Sequence, residues 1–109
     1  MAITFKVLGQ SAPGATTEAD LYTVPASTAT VCSTGTVCNR AATAATFRVS
    51  VSVGGGATAT KDYIYYDVTV AGNDTFAFTF GATLAATDKV RVYGSTANLS
   101  FNLFGQETT

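Results

Sequence analysis

Histidine and tryptophan are absent from this chain, and charge is scarce. Lysine and arginine together number 6 and aspartate and glutamate 7 in 109 residues, 12% in all, against roughly 25% in ordinary soluble domains. Each shortage closes a class of function. Without histidine there is no Ser–His or Cys–His nucleophile pair, and the commonest acid–base catalyst at neutral pH is missing. Structural zinc takes four Cys or His ligands, and only Cys32 and Cys38 exist. Calcium needs several converging oxygens; "TEAD" at 17–20 is the nearest approach and is too thin. Paired carboxylates, as in glycoside hydrolysis, remain open in principle. However, most of the acids (Glu18, Asp20, Asp62, Asp67, Asp74, Asp88, Glu107) flank turns, where Asp satisfies backbone N–H groups. The expectation is a protein that is not an enzyme and has no catalytic residue, cofactor or metal.

The cations Lys6, Arg40, Arg48, Lys61, Lys89 and Arg91 are scattered singly. Nucleic-acid binding needs them clustered against phosphates, so no nucleic acid is expected. No apolar run approaches the roughly 20 residues of a spanning helix, so no membrane is expected either. The opening "MAITFKVLGQ" alternates instead of forming a continuous apolar segment. No signal peptide is visible there, and synthesis in a cytoplasm with release by lysis or assembly is expected.

What is present is a period of two. Alternation marks strands at 3–8, 20–24, 28–39, 45–53, 61–70, 75–80, 89–93 and 98–104. Residues 12–19, 40–46, 54–60 and 81–88 have the composition of loops, and 105–109 that of a polar tail. About eight strands at this spacing predict one all-β domain over residues 1–109. The expected form is an antiparallel β-sandwich, jelly-roll or immunoglobulin-like. Each sheet buries one face. The expected core is Ile3, Phe5, Val7, Leu21, Val31, Val37, Phe47, Val49, Val51, Phe76, Phe78, Phe80, Val90, Val92, Leu99, Phe101 and Leu103. If 30–39 is one strand, Cys32 and Cys38 lie on one face, too far apart to bond. If it is a hairpin turning near Gly35, they can face each other and bridge. Free thiols are favoured, because no secretion signal is seen.

The most informative side chains are tyrosines. "DYIYYD" (62–67) puts Tyr63, Tyr65 and Tyr66 on both faces of one strand. Tyr93 lies opposite Val90 and Val92 in facing, and Phe104 opposite Leu103. Tyrosine suits interfaces because it offers rigid area and one polar tip. Cross-strand stacking that covers a sheet accounts for the same pattern. A net charge of −1 repels sister copies weakly and favours association. Tyr63, Tyr65, Tyr66, Tyr93 and Phe104 are therefore the candidate protein-interface residues.

Three segments, "FKVLGQSAPGATTEADLYTVPA", "TVCNRAATAATFRVSV" and "ATLAATDKVRVYGSTANLSFNLFGQE", resemble a group of small virion structural proteins of tailed bacteriophages, including phages of cyanobacteria. The resemblance spans nearly the whole chain, and "LYTVPA" and "STANLSFNLFG" carry most of it. It implies a many-copy particle component located in the virion and assembled in the host cytoplasm. Within that class the expectation is a capsid decoration (cement) protein bound to the major capsid protein or other virion proteins, as a homo-oligomer. The alternatives are a tail, baseplate or fibre component, and a host-surface or carbohydrate-binding module.

Overall fold

The strands pair as one long ribbon folded back on itself. In the computed structural model, which describes residues 1–109, β1 (Ile3–Ser11) pairs with β9 (Leu99–Thr108) and β2 (Ala19–Thr23) with β8 (Lys89–Gly94). Inside these, β3 (Ala29–Asn39) pairs with β6 (Thr75–Thr79) and β4 (Ala45–Ser52) with β5 (Tyr63–Val70). All of these pairs are antiparallel. A two-residue β7 (Thr83–Leu84) adds to β3. Successive pairs fall in alternate sheets, one ordered β1-β9-β3-β6 and the other β2-β8-β4-β5. This is a jelly roll. In an immunoglobulin sandwich the first and last strands lie in different sheets; here they are neighbours.

The core forms where the two inner faces meet. Phe47 on β4 is fully buried; its ring centroid lies 5.5 Å from Phe76, 6.4 Å from Phe78 and 6.1 Å from Phe101 on the opposite sheet. Leu21, Val37, Val49, Phe78, Val90, Val92, Leu99, Phe101 and Leu103 are buried as expected, and Val51, Phe76 and Phe80 pack against them half-buried. Gly35 does not hinge β3, which runs unbroken for 11 residues. A Cβ at Gly35 would sit 2.3 Å from the Phe78 ring, so the glycine leaves room for that ring to lie over the strand.

Four expected core residues are outside. Ile3, Phe5, Val7 and Val31 are 52, 79, 48 and 40% exposed. The cause is a pair of β-bulges at one level of the sheet. Leu8 is an extra residue in β1 against β9, and Ser33 an extra residue in β3 against the same strand. One extra residue reverses which face the following side chains occupy. Beyond the bulges, Ile3, Phe5, Val7 and Val31 therefore turn outward, while Leu8 and Cys32 turn in. The Ser33 bulge also sets the cysteines on opposite faces, Cys32 buried and Cys38 half-buried, and both are free thiols.

Two boundaries also shift. A polar tail is predicted after Phe104, but β9 continues to Thr108, because β1 and β3 flank it and take up its backbone groups. The 53–62 loop is not loose. Arg91 ties it to the sheet by donating to the carbonyls of Gly55 and Gly56 and to the hydroxyls of Ser52 and Thr58.

Candidate functional site

The five candidate residues fall in three separate places. Tyr65 is opposite Val49 in the ladder and points inward. Its ring lies 5.0 Å from Phe78 and 6.0 Å from Phe47 and from Phe76. It is half-buried core, which removes it from any outer contact surface.

Tyr63, Tyr66 and Tyr93 share the outer face of the β2-β8-β4-β5 sheet. A bulge sets Tyr66 and Asp67 together against Arg48 of β4, with Asp67 at φ 52°. Asp67 accepts two hydrogen bonds from the Arg48 guanidinium, at 2.7 and 3.4 Å. The same guanidinium lies 4.3 Å from the ring centres of both Tyr66 and Tyr93. Its cation–π partners and its carboxylate partner are thus all internal. Tyr63 meets Tyr66 edge-on at 4.8 Å. These two rings, with Thr58, Ala59 and Thr60, bound an open hollow of about 650 Å³.

Phe104 lies across the molecule, on the outer face of the β1-β9-β3-β6 sheet. It is the ladder partner of Val7. In the same face Gln106 sits between Phe5 and Val31, and Phe5, Val31, Ser33, Gly105 and Gln106 bound a shallow hollow of about 290 Å³. Phe104 therefore belongs to a patch whose other members, Ile3, Phe5, Val7 and Val31, sequence reasoning assigned to the core. Their strict alternation was the available signal; the bulge that turns them outward was not.

On the inner side of the same sheet end the chemistry is polar. The Tyr22 hydroxyl hydrogen-bonds the Thr30 hydroxyl at 2.8 Å and donates to the Glu107 carboxylate. Lys6 reaches the other Glu107 oxygen at 3.3 Å. The Tyr22 hydrogen bond first, and Lys6 second, hold the Glu107 carboxyl below its usual range. Burial and the neighbouring carboxylate push the Tyr22 phenol up. Here the usual arrangement is inverted, polar inside and apolar outside.

Comparison with family models, with curated proteins and with solved structures returns no match.

The remaining carboxylates are committed to structural partners. Asp88, buried, accepts from the backbone N–H of Gly54 and of Ala85. Asp62, also buried, accepts from Lys61, from the Ala59 N–H and from Ser52. Asp20 takes both Lys89 and Arg91, which lower its pKa. Asp74 caps the Thr75 N–H, and Glu18 accepts from Thr58.

Proposed function

We propose that the chain is a structural subunit of a tailed-bacteriophage virion, a decoration protein that binds the major capsid protein and stabilises the head lattice. The virion setting rests on the resemblance of the three segments named above. The observation that supports a contact role is the outward apolar patch of Ile3, Phe5, Val7, Val31 and Phe104. Contiguous exposed apolar surface on a small protein marks an interaction site. A jelly roll is a frequent frame for capsid and lectin domains, an argument by analogy of fold alone. Mass spectrometry and cryo-EM of purified particles test the proposal. Density for this chain in hundreds of copies on the head is expected. A handful of copies at the tail would favour the tail or baseplate alternative, and absence from the particle would refute both.

The Tyr63–Tyr66 hollow favours a second reading, a carbohydrate-binding module, because paired aromatic rings beside the Thr58 and Thr60 hydroxyls suit a sugar face. Glycan-array binding that is lost in Tyr66→Ala would establish it.

A further inference from the structure

A jelly roll leaves four sheet edges, and three of them here are protected against pairing. β5 is broken by irregularities at Ile64 and at Tyr66–Asp67. β2 has five residues, a bulge at Leu21 and the charged Asp20. β6 is regular, but its solvent face is Thr75, Ala77 and Thr79, and it ends where Gly81 takes φ +59°. Bulges, charge and short length are the usual guards against edge-to-edge association. The β1 edge has few of them. Residues 3–7 pair with β9 in unbroken register and carry three large exposed apolar side chains.

The phase of the ladder shows which backbone groups are open. Ala2 and Thr109 exchange both N–H···O bonds. In an antiparallel pair the bonded positions alternate, so Thr4 and Lys6 also point their backbone groups at β9. Ile3, Phe5 and Val7 then direct theirs away from the sheet, at the free edge. The same three residues offer both the unpaired hydrogen-bonding groups and the apolar side chains.

We infer that this edge pairs with the β1 of a second copy, antiparallel about a two-fold axis through Phe5. The register follows from the sequence. With Phe5 opposite Phe5, Ile3 faces Val7 in both directions, and all three open positions become hydrogen-bonded pairs. Thr4 falls opposite Lys6, so the one charged residue of the segment meets no like charge, and Lys6 already has Glu107 within its own chain. The Leu8 bulge of each copy ends the pairing, one at either end. A two-fold uses both free edges, so association closes at two copies and cannot propagate. The two apolar patches merge into one face across a continuous sheet. This deepens the proposal above by naming the first partner. It rests on that proposal only for the setting, because the dimer is measurable on the isolated chain.

Five residues a side make a small interface, so the dimer is expected to be weak, in the micromolar range or above. Sedimentation equilibrium of the isolated protein over a concentration series should show a monomer–dimer equilibrium, with no larger species. Phe5→Lys puts two ammonium groups together at the axis, and Phe5→Pro removes an edge-facing N–H without touching the bonds to β9. Each should weaken the dimer at least tenfold, while Tyr66→Ala, on the far sheet, leaves it unchanged. Circular dichroism and thermal melts confirm that the variants fold. Amide exchange of wild type should slow at Ile3, Phe5 and Val7 as concentration rises. A monomer at all concentrations up to millimolar would overturn the inference, as would a dimer that survives both Phe5 substitutions. Either result leaves the particle experiment free to succeed or fail separately.

Discussion

Tyr65 and Tyr66 are adjacent in sequence and belong to different parts of the molecule. That makes them a sharp test of the assigned strand register. Tyr65 packs inward on Phe47, Phe76 and Phe78. Replacing a buried large aromatic by alanine costs about 3–5 kcal/mol; for a half-buried ring such as Tyr65, about 2–3 kcal/mol is expected. Tyr66 is 56% exposed. Its removal forfeits one edge-on contact with Tyr63 and one exposed cation–π contact with Arg48, together about 1 kcal/mol. In a domain of this size 1 kcal/mol moves the melting temperature by roughly 4–8 °C. Tyr65→Ala should therefore melt about 10–20 °C below wild type, and Tyr66→Ala less than about 8 °C below. Urea titration gives the same comparison as free energies, with an unchanged m-value if the unfolding stays two-state. Equal losses, or a greater loss at Tyr66, would mean that the bulge at Tyr66–Asp67 is misplaced and the ladder slips by one residue.

Two further outcomes follow from the ionisable groups. Glu107, Asp20 and Asp62 all have depressed carboxyl pKa values, held down chiefly by Tyr22, by Lys89 with Arg91, and by Lys61 respectively. A depressed folded-state pKa means that the unfolded chain takes up protons first as pH falls. The stability they contribute is therefore complete at neutral pH and is lost below about pH 4. Glu107→Gln should cost about 1 kcal/mol at pH 7, a solvent-screened hydrogen-bond contribution. The loss should shrink as the wild-type carboxyl protonates, and melts at a series of pH values check this; a loss that is the same at every pH would refute it. The cysteines give the second outcome. Cys32 is buried and its thiol is pushed up to about 11 by that burial, whereas Cys38 is partly open. Iodoacetamide should add one label to the folded protein and two after denaturation without reductant, read by intact mass. No label after denaturation would reveal a disulfide.

The fold class was legible because alternation survives in most strands. Phe47, Val49, Val90, Val92, Leu99, Phe101 and Leu103 keep strict parity, and all seven are buried. Residues at which the period breaks were not legible. Leu8 and Tyr66 carry no turn chemistry, and Ser33 and Asp67, though turn formers, do not by themselves mark an extra residue, since a bulge is a property of two strands and not of one. The choice between jelly roll and immunoglobulin sandwich has the same character. It depends on β1 meeting β9 across almost the full chain, and no local segment encodes that. The tyrosines were correctly placed on two faces of β5, yet the inward Tyr65 became core, while outward Tyr66 stacks under Arg48 and Tyr63 packs edge-on against Tyr66.

The inversion at the end of the β1-β9-β3 sheet ties stability to contact. Full burial of a large apolar side chain contributes about 1.5–3 kcal/mol, and Ile3, Phe5 and Val7 each forgo much of it. A one-residue slip of β1 would turn them inward, and the chain does not take it. Two features hold the observed register: the Leu8 side chain entering the core at the bulge, and the Lys6–Glu107–Tyr22–Thr30 network occupying the inner side. With the slip, Lys6 would leave Glu107, Leu8 would leave the core, and apolar side chains would face the Glu107 carboxylate, costs that oppose the gain. Burial of these three side chains alone would favour the slip, and the Leu8 anchor together with the polar network opposes it. A partner that covers Ile3, Phe5 and Val7 in the outward register would add to the same side of that balance. Glu107→Gln should accordingly weaken dimerisation in sedimentation equilibrium as well as folding, although Glu107 lies on the inner face of its sheet and its partner Tyr22 on β2 of the other; a dimer of unchanged affinity would refute the link.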